Sequence, residues 1–336
     1  MLLAAGRSSR LGALGAAVPK PLVPICGYPP IAFGLTLCRK AGLSYVVVNL
    51  HHLGEQIEDA IGDGAAYGVS VRYSFEHELL GTGGGLVKAR RLFRSEPVLV
   101  MNAKVVVDVD LASIIAAHEA AVGAEATMAL RPAPPGSTFA PVEIDETGRV
   151  VGIRGERGRV APIGAVRAMM FTGIHVVGSK LLSRLPASGE SDVIADAYLP
   201  ALREGAFVAS VQVSGYFEEH STPERYLGGN FALLRKPSLV SNSPGPLVGA
   251  EPSSIVHATA ELIPPYRVAE GALIEAGAKV GPDVVIGAGA TVSRNASIRR
   301  AIVWPGVTVQ GDVADAVVTA DGVIAVRAAE SADDKE

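Results

Sequence analysis

The chain has 336 residues, enough for two domains and a large core. Apolar residues make up 49% of it but aromatics only 5%, so the core must be built mainly from Ala, Val, Leu and Ile. A net charge of −4 gives no electrostatic reason to expect nucleic acid or a membrane surface as partner, and the two cysteines, Cys26 and Cys38, have neither metal nor redox spacing. With such cysteines a reducing cytoplasm is the expected setting; no apolar run reaches membrane-spanning length, and Met1 is not followed by a basic and then apolar signal segment.

A short apolar strand opens the chain and runs into a small-residue loop, Leu3-Ala4-Ala5-Gly6-Arg7-Ser8-Ser9-Arg10. Lys20, set between Pro19 and Pro21, follows ten residues after Arg10. This pattern suits a nucleoside triphosphate. Small residues let the backbone approach a base and phosphates, loop N–H groups cradle anions, and two fixed cations neutralise them. Only Met1 and Leu2 precede Leu3, so either the chain starts upstream or this strand is short.

Apolar strands then alternate with helical stretches. Residues 45–50, 69–73 and 97–101 read as strands, and 31–41 and 54–61 as amphipathic helices between them. Residues 127–131 and 141–144 read as further strands, with Glu146-Thr147-Gly148 turning a hairpin into 150–154. The expectation is a doubly wound α/β sheet, mostly parallel, with ligands beyond the carboxyl ends of its strands. Ser191-Asp192 reads as a helix cap, and His51-His52 lacks a third ligand at useful spacing.

Residues 237–254 are rich in Pro, Gly and Ser and read as a linker after a first domain of residues 1–236. A six-residue period follows. Val268, Ile274, Val280, Ile286 and Val292 each open a unit, with a small or β-branched residue four positions later. The period predicts short stacked strands with the aliphatic residue inside, over 255–326, before a polar tail at 327–336. It resembles the hexapeptide repeat of left-handed parallel β-helices. Acyltransferases with such repeats use a histidine between coils, but His257 is the only histidine in this half and precedes the clean repeats. An assembly module is the better reading, pairing copies of the chain or joining it to a paralogue.

Further motifs lie between these elements: Glu76-His77-Glu78-Leu79-Leu80-Gly81-Thr82-Gly83-Gly84-Gly85, Asn102-Ala103-Lys104, and Gly215-Tyr216-Phe217-Glu218-Glu219-His220-Ser221-Thr222-Pro223. With the opening loop and Pro19-Lys20-Pro21, their ordered set resembles the sugar-phosphate nucleotidyltransferases, or NDP-sugar pyrophosphorylases, over residues 1–235. Within that family the arrangement looks most like mannose-1-phosphate guanylyltransferases and close uridylyl- or thymidylyltransferase relatives. The resemblance implies a nucleoside triphosphate and a sugar 1-phosphate as substrates, with GTP and mannose 1-phosphate the expected pair, and Mg²⁺ as cofactor. It implies that Arg10 grips the triphosphate and that Lys20 bridges the α-phosphate and the incoming sugar phosphate. It also implies that Leu3, Ala4, Ala5, Gly6, Gly81, Thr82 and Gly83 carry the nucleotide. Glu76 or Glu78 occupies the neighbouring position, where a carboxylate accepts two hydrogen bonds from guanine.

The reacting centre departs from the family pattern. The family's Asn-Gly-Asp, whose Asp holds Mg²⁺, is Asn102-Ala103-Lys104 here, and its second metal carboxylate falls at Glu219, one methylene longer than Asp. A lysine offers the ion no oxygen, and its ammonium repels it. Asp108 and Asp110 lie downstream as alternative ion ligands. On the sugar-phosphate side the family's acidic-Lys-Pro motif is replaced by Gly155-Glu156-Arg157-Gly158, leaving Arg157 as a stand-in, and its Asn-Ala-Gly by Phe171-Thr172-Gly173. Two outcomes follow: an enzyme in which Lys104 contacts the phosphates, or a silent homologue that binds nucleotide sugar and regulates or scaffolds an active pyrophosphorylase.

Overall fold

A computed structural model describes residues 1–6, 14–15, 18–134 and 139–326, so the polar tail at 327–336 lies outside the described residues. The chain groups into two compact units. The first takes the opening residues, Gly34–Ala103 and Val109–Gly215; the second takes the stretch up to Phe33, Lys104–Asp108 and the chain from Tyr216 onward.

In the first unit, β1 (Leu2–Leu3) lies between β2 (Tyr45–Leu50) and β4 (Val98–Asn102), and β3 (Ser70–Phe75) flanks β2; all these pairings are parallel. Residues 46–50 of β2 are all buried, as expected for a parallel strand covered on both faces. β5 (Val106–Val107) belongs to the second unit. β6 (Ala126–Arg131), β7 (Pro141–Ile144), β8 (Val150–Ile153), β9 (Glu156–Arg157), β10 (Arg167–Val177) and β11 (Val208–Gln212) complete the sheet of the first unit. The sheet is mixed. The eleven-residue β10 runs antiparallel to β4, β6 and β7, while β11 adds to β6 in parallel.

Helices α1 (Pro30–Lys40), α2 (Gly54–Ile61), α3 (Gly81–Ala89), α4 (Leu111–Ala120), α5 (Ser179–Leu182) and α6 (Leu199–Glu204) alternate with these strands. Asp110 caps α4 by accepting from the N–H groups of Ala112 and Ser113. Asp192 accepts from the N–H groups of Ile194 and Ala195, the capping role its sequence context predicts. The core of this unit is aliphatic, with Val100, Met128, Leu130, Val150 and Leu181 among its buried residues. One polar pair is sealed inside it, where His175 Nδ1 lies 2.7 Å from the Tyr198 hydroxyl.

In the second unit, β5 pairs antiparallel with β12 (Phe217–Glu218), and α7 (Pro223–Arg235) follows, its first turn capped by Thr222. Beyond α7 come short parallel strands in which partners lie 18 residues apart, such as Ile255 with Leu273 and Leu273 with Thr291. Three hexapeptides therefore make one coil. Val268, Ile274, Val280, Ile286 and Val292 are fully buried, and so are Ala272, Ala278, Val284, Ala290 and Ala296 four positions after each. The spacing drops to 17 where Val284 faces Ala301, which is why the six-residue period blurs after Ile298. Within the 237–254 stretch, Val240, Asn242 and Leu247 are buried, and Asn242 donates to the carbonyls of Phe33 and Val107. α7 packs on the coils through an Arg235–Asp283 ion pair, with nitrogen–oxygen distances of 2.9 and 2.7 Å.

Candidate functional site

The first unit carries the loop that follows β1 and the start of α3. The loop is anchored at its base, where Ala4 N–H donates to Asn49 Oδ1 at 2.9 Å and Gly6 N–H donates to the Ala4 carbonyl. Ala4 is buried, Ala5 half-buried and Gly6 exposed. Arg10 lies outside the described residues.

Asn49 also donates through Nδ2 to Glu76 Oε1 at 2.7 Å, and Glu76 Oε2 accepts from the N–H of Leu80 at 3.0 Å. Glu76 is 4% exposed. Both its oxygens therefore tie the ends of β2 and β3 to the turn before α3, and Glu78, two residues on, is the exposed carboxylate of this segment. Charge-assisted hydrogen bonds of this kind contribute about 1.5–3 kcal/mol each. Asn49 was not singled out by its sequence motif, although one amide in the otherwise apolar run Tyr45–Leu50 is the signal that marks it.

Gly81 to Gly85 form the first turns of α3, where glycine disfavours a helix; close approach explains them. Gly81 has φ +69°, and a Cβ there would come within 2.5 Å of the Ser191 carbonyl oxygen. At Gly84 a Cβ would come within 2.4 Å of the Gly189 carbonyl oxygen, and at Gly85 within 2.8 Å of both Asn49 Nδ2 and Glu76 Oε1. Gly83 N–H donates to the Ser191 carbonyl at 2.8 Å, and Thr82 Oγ1 accepts from Val193 N–H at 2.9 Å. The glycines thus let α3 lie directly on the 189–193 segment.

Gly173 sits in the bulge of β10, between the register shift at Phe171 and His175, with φ +76°. A Cβ there would meet Asn102 Nδ2 at 2.3 Å, so the Asn102 side chain lies over this glycine. Two of the altered motifs are thereby neighbours in the first unit. Arg157 lies on β9 with its guanidinium largely exposed, 3.5 Å from Glu143. A cavity of about 360 Å³ opens at the other end of the sheet, lined by Leu2, Tyr45 and Val98 at the amino ends of the parallel strands. Open α/β sheets place ligands at the carboxyl ends, so this cavity lies away from the candidate residues.

In the second unit Lys20 opens a 3₁₀ turn, Lys20–Leu22, whose backbone is fixed on either side by Pro19 and the buried Pro21. Lys104 Nζ lies 2.7 Å from Glu219 Oε1, with side chains 29% and 12% exposed. The pair lies just past the end of the β5–β12 ladder, in which Val106 faces Glu218 and Val107 faces Phe217; it is a diagonal contact, since that register continued would set Glu219 opposite Val105. Glu218 is paired to Arg225, Asp108 accepts from Ser241 N–H and Oγ, and Asp110 is spent on its cap.

The nucleotidyl transferase family matches residues 1–207, more than half of the chain. The chain belongs to the nucleotidyl transferase family. It is 28% identical to the mannose-1-phosphate guanylyltransferase of Mycobacterium tuberculosis, over 84% of this chain and 76% of that protein. It is 45% identical to the N-acetylmuramate α-1-phosphate uridylyltransferase of Neisseria meningitidis over 111 residues, and 30% identical to the UTP–glucose-1-phosphate uridylyltransferase of Synechocystis over 211. These matches span 48% and 53% of those two proteins, about half of each. The crystal structure of HddC from Yersinia pseudotuberculosis, complexed with GMP-PN, shares the fold with a TM-score of 0.57, over 69% of this chain and 97% of that one at 19% identity.

Nucleotidyl transferases of this family generally depend on Mg²⁺. The donor set of this member does not fit the ion. Mg²⁺ demands oxygen ligands at ~2.0–2.1 Å in near-octahedral geometry. The Glu219 carboxylate, which the resemblance to the family implies as a metal ligand, instead holds the Lys104 ammonium.

Proposed function

We propose that this protein is a sugar 1-phosphate nucleotidyltransferase acting with GTP and mannose 1-phosphate. The observation that carries the reading is membership of the nucleotidyl transferase family over residues 1–207, together with relatives each named for transfer onto a sugar 1-phosphate. The guanylyl and mannosyl choice is supported by the long match to the Mycobacterium tuberculosis guanylyltransferase. In this reading a sugar phosphate oxygen attacks the α-phosphorus of the triphosphate, a new P–O bond forms, and pyrophosphate leaves with the electron pair of the broken bond. Charge neutralisation and positioning supply the catalysis.

Arg10 and Lys20 take the phosphates in this scheme. Leu3 to Gly6 and Gly81 to Gly83 carry the nucleotide by backbone approach, while Gly173 and Arg157 attend the sugar phosphate. With both Glu76 oxygens engaged, Glu78 is the carboxylate left to recognise guanine. The test is pyrophosphate release from a panel that also offers UTP with glucose 1-phosphate and with N-acetylmuramate 1-phosphate.

A second reading is favoured by one observation, the Lys104–Glu219 ion pair, at positions that the resemblance to the family assigns to the metal. There the protein binds a nucleotide sugar without turnover and regulates or scaffolds an active relative through its stacked coils. Binding of nucleotide sugar without pyrophosphate chemistry separates it from the first. In either reading the protein works in the cytoplasm, as a homo-oligomer or with a paralogue.

A further inference from the structure

We propose that in this chain the Lys104 ammonium, held by the Glu219 carboxylate, takes the place of a divalent cation, so that polyphosphate binding is independent of Mg²⁺. The inference rests on the nucleotide-binding reading above and concerns how that binding is balanced electrostatically.

Charge makes the substitution consistent. A dication between two carboxylates sums to zero, and so does one ammonium on one carboxylate. Lys104 Nζ is in direct contact with Glu219 Oε1 at 2.7 Å, and both side chains are largely withdrawn from solvent. The contact joins two distant parts of the chain just past the end of the β5–β12 ladder. A Mg²⁺ ion using this carboxylate must displace the ammonium and then sit beside it, a repulsion that weakens the ion's hold. The neighbouring carboxylates offer no substitute, since Arg225 pairs with Glu218 and Ser241 donates twice to Asp108. Lys104 is thus a fixed cation that needs no recruitment from solution.

The experiment is isothermal titration calorimetry of the full chain with GDP-mannose and with UDP-glucose, in EDTA and in excess Mg²⁺. The native protein should bind one of them with affinities that agree within about threefold between the two conditions. Lys104→Asp, which puts a second carboxylate beside Glu219, should bind at least ~10-fold more weakly in EDTA and recover in Mg²⁺. A native protein that gains ~10-fold or more from Mg²⁺ overturns the inference and leaves the nucleotide reading intact. No binding of either ligand in either condition overturns the nucleotide reading and the inference with it. If Lys104→Asp fails to fold by circular dichroism, Lys104→Met replaces it, and should weaken binding by ~10-fold in both conditions. Undiminished binding by a folded Lys104→Met protein also overturns the inference.

Discussion

Asn49 Nδ2 donates to Glu76 Oε1 at 2.7 Å, and through this one contact the amide and carboxylate brace three elements at once. Asn49 also accepts from the N–H of Ala4 in the loop after β1, and Glu76 also accepts from the N–H of Leu80 before α3. A carboxylate in that position is a structural clasp for the loops around it, and its removal should show first in stability. Glu76→Ala strands the Asn49 amide and the Leu80 N–H, and should cost about 2–4 kcal/mol in urea unfolding. Glu76→Gln, which keeps one acceptor, should cost about half as much. A Glu76→Ala protein as stable as the native one contradicts the clasp.

The glycines of α3 make a second prediction by contrast with Gly6. A Cβ at Gly84 would lie 2.4 Å from the Gly189 carbonyl oxygen, whereas one at Gly6 meets nothing within 4 Å. Gly84→Ala should therefore destabilise by about 2 kcal/mol or more despite the better helix propensity of alanine. Gly6→Ala should stay within ~0.5 kcal/mol in the same assay, so any loss of nucleotide binding there is a local effect. Equal stability losses at both positions contradict the close-approach account.

The docking of α7 on the coils is open to a spectroscopic test. Trp304 is the only tryptophan of the chain, is 8% exposed, and donates through Nε1 to the Tyr226 hydroxyl of α7 at 3.1 Å. Arg235→Ala removes the partner of Asp283, which is 5% exposed, and leaves that carboxylate uncompensated. The expected cost is about 1–3 kcal/mol, with Trp304 emission shifting to the red at lower denaturant than in the native protein. An unchanged Trp304 transition rules out a stabilising role for the ion pair.

Acid should weaken the first unit through His175. Burial pushes its imidazole from an ordinary 6.5 down to about 3, while its Nδ1 lies against the Tyr198 hydroxyl. Between those values the unfolded chain binds a proton that the folded chain refuses. Stability is therefore fully present above pH 6.5 and falls as the pH drops below it, by about 1.4 kcal/mol per pH unit from this residue. His175→Gln should flatten the pH dependence of the unfolding free energy between pH 6 and pH 4 by about that slope. The same slope in the variant assigns the acid sensitivity to other groups.

What the sequence disclosed and what it hid follow from the range of each interaction. The six-residue period is local, and every aliphatic position it marked from Val268 to Val292 is fully buried. The strand at Tyr45–Leu50 and the helix at Gly54–Ile61 lie where their periodicity puts them. By contrast, β10 went unread as a single strand because Thr172 and Gly173 interrupt its apolar pattern, where it bulges to admit Asn102. The run Gly81 to Gly85 has the composition of a turn and forms a helix, because contacts with residues 189–191 outweigh propensity. Lys104 and Glu219 carried the plainest departure from the family pattern, but their pairing is a contact between distant parts of the chain that nothing near either residue encodes.

The most direct measurement is pyrophosphate release by the purified full chain across nucleoside triphosphates and sugar 1-phosphates, with and without Mg²⁺. The account predicts turnover with GTP and mannose 1-phosphate. Silence across the whole panel, while GDP-mannose still raises Tm, contradicts nucleotidyl transfer and leaves a nucleotide-sugar-binding protein.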